Sequence, residues 1–295
     1  MTTTAKPLIE ARNLRKSFNK KEILHGLNFT IPKGRIVGLV GHNGAGKTTT
    51  LNAILGLTDC EGDITVLGQH PYQNRAELMN DIAFISDVAS LPRFLKVREL
   101  FDLVEDIHPN FSREKANGFL EGTDIRANAK VKALSKGMVA QLHLAIVMAI
   151  DASLLVLDEP TLGLDITYRK RFYKRLLEDY MHEERTLLIT THQVDEIEFM
   201  LSDIMFIKDG ELVLDCPMED VGTRYHQLVT DEKELDALHA LKPIYVEQKF
   251  GQTIMVFDGV AADQLEPYGK VSTPTISDLF VALMQREDTR KGEII

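Results

Sequence analysis

Apolar and polar positions along the chain follow several distinct patterns. The short runs Ile36–Val40 (IVGLV), Leu154–Leu157 (LLVL), Thr186–Thr190 (TLLIT) and Ile204–Ile207 (IMFI) are hydrophobic at nearly every position. Strands of this kind bury both faces, as in a parallel sheet covered by helices. Leu8–Phe18 and Ile23–Ile31 alternate more loosely, which predicts antiparallel strands. Between Leu91 and Ile150 the period lengthens. Val97, Leu100, Phe101 and Val104 share one helical face, and a helical subdomain over 88–150 is expected. Beyond Cys216, Tyr245–Phe250 and Thr253–Phe257 flank Gly251–Gln252 and read as a hairpin. Ile276, Leu279, Phe280, Leu283 and Met284 then repeat at helical spacing. Thr275 with Asp278 resembles a capping box, with Asp in place of Glu or Gln. These patterns predict an α/β protein: a main domain over 7–216 and a small α/β appendage over 217–295 that carries no catalytic constellation.

Composition narrows the possibilities. The chain has 295 residues, 44% hydrophobic and 26% charged, which excludes disorder, a collagen-like repeat and a small disulfide scaffold. The net charge of −10 argues against a broad basic surface for nucleic acid, and residues 217–295 hold eight Lys/Arg against fourteen Asp/Glu. Cys60 and Cys216 lack metal-ligand spacing and suit a reducing compartment. Met1–Glu10 is short and mixed, unlike a signal segment, and no run reaches the roughly 18 apolar residues of a membrane span. The chain is not expected to cross a membrane itself.

Candidate chemistry is concentrated in two places. Gly41, His42, Asn43, Gly44, Ala45, Gly46, Lys47 and Thr48 fit G-x-x-x-x-G-K-[ST] in full, between an expected strand and an expected helix, with Thr49 next in line. The glycines let the backbone curl so that successive N–H groups face phosphate oxygens, and the helix start adds its positive dipole end. Lys47 would supply a point charge to the β/γ-phosphates, and the Thr48 hydroxyl could ligate Mg²⁺. The apolar run 154–157 ends in Asp158–Glu159. Asp158 emerges where a Mg²⁺ shell needs a carboxylate, and Glu159 stands where a base could polarise water.

With these segments in order, residues 7–215 resemble the nucleotide-binding subunit of an ATP-binding cassette (ABC) transporter. Ala133-Leu-Ser-Lys-Gly-Met138 is similar to the family signature LSGGQ, with Lys136 for the first glycine and Met138 for the glutamine. Asp158-Glu-Pro-Thr-Leu-Gly-Leu-Asp165 is similar to the Walker B end and D-loop, and Thr190-Thr-His192 to the switch-histidine strand end. Phe18 holds the place of the aromatic that stacks on adenine. Asp87, in Phe84-Ile-Ser-Asp87, stands at the Q-loop glutamine position, where it could still ligate Mg²⁺; a solvated loop aspartate is the alternative. The stretch from His108-Pro-Asn-Phe111 through the signature resembles the branch whose permease is an ABC-2 type membrane protein.

The resemblance implies a P-loop NTPase cassette with a mixed sheet core, an antiparallel β subdomain and a helical subdomain. It implies ATP and Mg²⁺ as ligands and Glu159 and His192 as the catalytic pair. It further implies a head-to-tail homodimer in which Ser135 and Gly137 of one copy meet the nucleotide held by the other. Separate permease subunits would bring the protein to the inner face of the cell membrane, for export in the sense of the ABC-2 branch. The appendage would be regulatory or dimer-stabilising, or a passive decoration. Two other readings stay open: a soluble ABC ATPase that remodels a macromolecular complex, and a non-hydrolysing interaction module.

Overall fold

The computed structural model describes residues 6–86, 91–183, 185–231, 235–249 and 251–285, with positions 179–183 as backbone only. By contact density the chain divides into two units, residues 1–201 with 207–212, and residues 202–206 with 213–295.

The first unit opens with the strands β1 (Ile9–Phe18) and β2 (Lys21–Ile31), followed by β3 (Ile36–Val40) and helix α1 (Lys47–Ile54). Strand β4 (Glu61–Val66), the single turn α2 (Arg75–Leu78) and β5 (Ile82–Ile85) come next. The helices α3 (Val97–Ile107), α4 (Arg113–Leu120) and α5 (Lys136–Met148) lead to β6 (Leu154–Asp158), α6 (Ile166–Glu183) and β7 (Thr186–Thr191). Strands β8 (Asp203–Lys208) and β9 (Glu211–Pro217) follow, with only residues 207–212 of this stretch counted in the first unit.

Two sheets result. The antiparallel one has the order β2-β1-β4, with Ile9 opposite both Ile31 and Val66. Its loose alternation resolves into one buried face carrying Ile9, Ala11, Leu14, Leu24, Leu27, Phe29, Ile64 and Val66. The β1–β2 hairpin closes at Phe18 opposite Lys21, and the linking Asn19 and Lys20 both have positive φ (47° and 69°). Two successive left-handed residues make the turn type that matches strand twist, so the hairpin ends sharply and presents Phe18 and Lys21 side by side.

The second sheet has the order β5-β6-β7-β3-β8-β9, and β5, β6, β7 and β3 pair in parallel. Every residue of β3, β6 and β7 is buried. That explains their unbroken hydrophobicity: a strand covered on both faces has no wet positions. Register then positions the chemistry. Asp158 lies opposite Thr190, and Val40 opposite Thr191. The segments after β3, β6 and β7 therefore leave the sheet at one level on its carboxyl edge, where ligands gather in open α/β sheets.

The helical stretch is built as its pattern predicts. α3 buries Val97, Leu100 and Phe101, and a capping box between Lys96 and Glu99 starts it. Ser112 caps α4 and Ser135 caps α5. Asp165 caps α6, its Oδ1 accepting from the Tyr168 N–H at 2.9 Å. Asp87 lies outside the described residues. Among the described residues, no helix is long and apolar enough to cross a membrane.

The second unit adds α7 (Met218–Arg224), β10 (Tyr225–Thr230), α8 (Leu235–Ala240), β11 (Tyr245–Lys249), β12 (Gln252–Asp258), the turn α9 (Ala262–Leu265), β13 (Lys270–Ser272) and α10 (Ile276–Gln285). Its antiparallel sheet runs β11-β12-β10-β13. The expected hairpin is β11–β12, closing at Lys249 opposite Gln252; Phe250 lies outside the described residues. Leu228, Leu238, Met255, Phe257 and Leu265 are fully buried together. Each such side chain contributes roughly 1.5–3 kcal/mol over its exposed state. Ile276, Leu279, Leu283 and Met284 of α10 are buried, and Phe280 meets Phe206 edge-on with centroids 5.2 Å apart. Thr275 accepts from the Asp278 N–H at 3.1 Å and caps the helix. The reciprocal arm differs from a full capping box. The shorter Asp278 side chain accepts from the Thr275 hydroxyl at 2.8 Å instead of reaching back to the main chain.

Candidate active site

The loop after β3 curls because its glycines permit it. A Cβ on Gly41 would lie 2.6 Å from the Ile207 carbonyl oxygen, so only glycine fits there. Gly46 has φ of 114° and precedes α1 directly, in a conformation that L side chains rarely adopt. Two main-chain bonds fasten the loop: Ala45 N–H to His42 O at 3.1 Å and Gly210 N–H to Ala45 O at 2.9 Å. Lys47 is buried, and its ammonium donates to the carbonyls of Gly41 (2.6 Å) and His42 (3.2 Å). Burial pulls the Lys47 pKa below the ordinary lysine range, against the opposing pull of the Glu159 and Asp158 carboxylates.

A cleft of about 420 Å³ opens over this loop. It is lined by Asn43, Gly44, Gly46, Lys47, Thr48 and Thr49 on one side and by Asp158 and Glu159 on another. Phe18, Lys21 and Ile23 of the hairpin complete it. Phe18 is 48% exposed, with Lys16 Nζ 5.0 Å from its ring centroid. An open aromatic face beside a cation and a phosphate-type loop can stack on a flat heterocycle. Gly41 and Ala45 are buried behind the loop, and His42 is exposed at its outer turn.

The acidic strand end meets the loop directly. Thr48 Oγ1 donates to Asp158 Oδ2 at 3.3 Å across 110 residues of sequence, and Asp158 Oδ1 accepts from the Thr190 hydroxyl. Glu159 leaves β6 in a left-handed conformation, φ 46°. Such a backbone costs of order 1–3 kcal/mol for a residue with a side chain. The Glu159 N–H offsets part of this by donating to the Thr190 carbonyl at 3.1 Å. The kink turns the Glu159 carboxylate into the cleft. There Oε2 accepts from Nδ1 of His192 at 2.9 Å, with the carboxylate side chain 15% exposed and the imidazole 49%. Donation through Nδ1 leaves the far nitrogen, Nε2, to face solvent or a ligand.

Ser135 and Gly137 do not line this cleft. Ser135 is exposed, its Oγ accepting from the Met138 N–H at 3.2 Å, and a Cβ on Gly137 would meet nothing within 4 Å. At the start of α5, Ser135 and Lys136 are exposed and Gly137 is half-buried.

Two participants escaped the reading of the sequence, as did the role of a third, Thr190. Lys21 and Ile23 line the cleft because the hairpin returns there, for which the Asn19–Lys20 turn is the local signal. Thr190 holds Asp158 and Glu159 at once, through a register that no local pattern encodes.

Comparison with known proteins identifies the family and the fold. A family model described as ABC transporter matches residues 24–162. The Nod factor export ATP-binding protein I of Burkholderia lata is 36% identical over 213 residues, 70% of this chain and 69% of that one. Its namesake from Rhizobium meliloti is 31% identical over 309 residues, covering 96% of this chain and 90% of that one. Among solved structures, a dimeric post-hydrolysis state of the ATP-binding cassette MJ0796 with ADP and Pi superposes with a TM-score of 0.63. It is 23% identical, and the match spans 71% of this chain and 98% of that one. A P-loop at the carboxyl edge of a parallel sheet, followed in order by the cassette's remaining segments, places the chain in the ABC transporter family as an ATP-binding subunit with ATPase activity.

Proposed function

We propose that this chain powers export through a separate ABC-2 type permease, working as a head-to-tail homodimer on the inner face of the membrane. The observation that carries the reading is that the cleft is one-sided. Loop, carboxylates and hairpin of this chain line it, while the exposed Ser135 and the half-buried Gly137 sit elsewhere, at the start of α5. A second copy, related by a two-fold axis, brings its own α5 start over each cleft and so encloses two ATP molecules. The relatives named for export support the direction of transport.

Within each site the roles divide by chemistry. The N–H groups of residues 41–48 and the α1 start hold the phosphates, with Lys47 as the point charge and Phe18 against adenine. The Mg²⁺ expected in this family fits the donors present. Thr48 Oγ1 and Asp158 Oδ2 are oxygen donors 3.3 Å apart, of the kind this hard cation takes, and they would hold it. Bound there, the ion would neutralise charge on the β- and γ-phosphates. Asp87 is proposed as a further contributor to its surroundings. Glu159 takes a proton from the attacking water, and His192 orients Glu159 while its far nitrogen faces the γ-phosphate.

The full chain is expected to co-purify from detergent-solubilised membranes with a polytopic membrane protein, and that partner is expected to change its ATPase rate. Recovery of the chain only with ribosomes or nucleic acid, with ATPase stimulated by them, would overturn the export reading.

The appendage over 217–295 is proposed to steady the dimer. By sedimentation without nucleotide, the full chain is expected to show more dimer than a chain ending at Cys216, provided far-UV circular dichroism shows the shortened chain folded. An identical monomer–dimer balance in both removes this role.

A further inference from the structure

We infer that Arg169 is a positioning residue for ATP hydrolysis, tying the loop that follows Glu159 to the segment that carries His192. Its guanidinium, on the first turn of α6, reaches both. Nε donates to the Leu164 carbonyl at 2.8 Å. One Nη1 donates to Gln193 Oε1 at 2.6 Å and to Glu196 Oε1 at 2.8 Å. The Arg169 side chain is 18% exposed, so the charge pair with Glu196 is partly withdrawn from water and weakly screened. A planar, always-charged fork suits this three-way bond; a flexible ammonium does not replace it.

The surroundings make the arginine a link and not one more surface ion pair. The loop 159–165 is held against α6 at two other points, by the Asp165 cap and by a buried bond of 3.0 Å between Thr161 Oγ1 and Tyr173 Oη. Those bonds anchor the loop only to its own helix. Arg169 alone among these contacts extends to Gln193, the residue next to His192, and to Glu196 one turn on. His192 and Glu159 in turn meet at 2.9 Å. The guanidinium therefore closes a ring that runs from Glu159 through the loop to Leu164, across Arg169 to Gln193, and through His192 back to Glu159. Small displacements at a reacting centre are costly, so a brace that fixes two facing side chains acts on the rate without touching the nucleotide.

The inference rests on His192 and Glu159 serving the γ-phosphate, and the test separates the two claims. In the full chain, Arg169→Ala is expected to lower kcat roughly ten- to a hundredfold while the Kd for Mg-ATP stays within about twofold. Arg169→Lys, which keeps charge but not the fork, is expected to recover only part of the rate. Combining Arg169→Ala with His192→Ala is expected to cost little beyond His192→Ala alone, since both act through one side chain. A merely structural arginine would lower the melting temperature and multiply its loss onto that of His192→Ala; that result overturns the inference, as does unchanged kcat. If Arg169→Ala does not fold, Glu196→Gln, which removes the charge and keeps the shape, is expected to show the same dependence on His192. Full activity in His192→Ala overturns the site reading together with the inference. An inactive His192→Ala beside a fully active Arg169→Ala overturns the inference alone.

Discussion

Glu159→Gln is expected to lower steady-state ATP turnover by roughly 10²–10⁴-fold, the weight of a lost general base, while ATP still binds. Glutamine keeps the size of the side chain, and its amide oxygen can still accept from His192 Nδ1, the bond that spans 2.9 Å. What it loses is the capacity to take a proton. The phosphate loop, the Thr48–Asp158 contact and the aromatic hairpin tip are untouched by the change. Binding without hydrolysis is expected to trap the ATP-closed dimer. Phosphate release and size-exclusion chromatography in ATP measure the two halves of the prediction. Near-normal turnover would remove Glu159 from its proposed role.

Lys47→Ala is expected to weaken Mg-ATP binding roughly ten- to a hundredfold, because a bond to a charged group contributes about 1.5–3 kcal/mol. Turnover is expected to fall further, since the same charge faces the phosphate oxygens on which negative charge builds. The structure explains why no neighbour substitutes. Lys47 is buried in the loop that holds it, and Lys21, the other lysine lining the cleft, stands at its hairpin rim. Titration calorimetry checks the affinity, with circular dichroism to establish that the variant is folded. Unchanged Mg-ATP affinity would sink the phosphate-loop reading of residues 41–48.

Much of the fold was legible because its signals are local. The unbroken runs at 36–40, 154–157 and 186–190 have the pattern of strands covered on both faces, and β3, β6 and β7 are buried throughout. The phosphate loop was legible for a related reason. Its curl needs glycine at fixed positions, as the contact between a Gly41 Cβ and Ile207 O makes plain. The α10 cap was read correctly in its first arm and differs in the second, where one methylene decides which group Asp278 reaches. Lys21 and Ile23 were passed over because their place depends on a hairpin turning on two left-handed residues, neither of them glycine.

By itself, the sequence determined the buried strands of the main sheet, the antiparallel pair before them and a helical stretch after them, where a phosphate-type loop lies, and which carboxylates follow an apolar strand. Those properties depend on side-chain periodicity and on φ/ψ limits within a few residues. Only the tertiary structure decided how the segments meet. Parallel register sets Asp158 beside Thr190 and Val40 beside Thr191, so residues 110 positions apart come within 3.3 Å. It also decided that Glu159 takes φ of 46° to face His192, and that Arg169 braces the loop behind it. The reason is physical: strand pairing and a guanidinium's reach are long-range contacts, and a local pattern records that a residue can make such a contact but not which partner it will find.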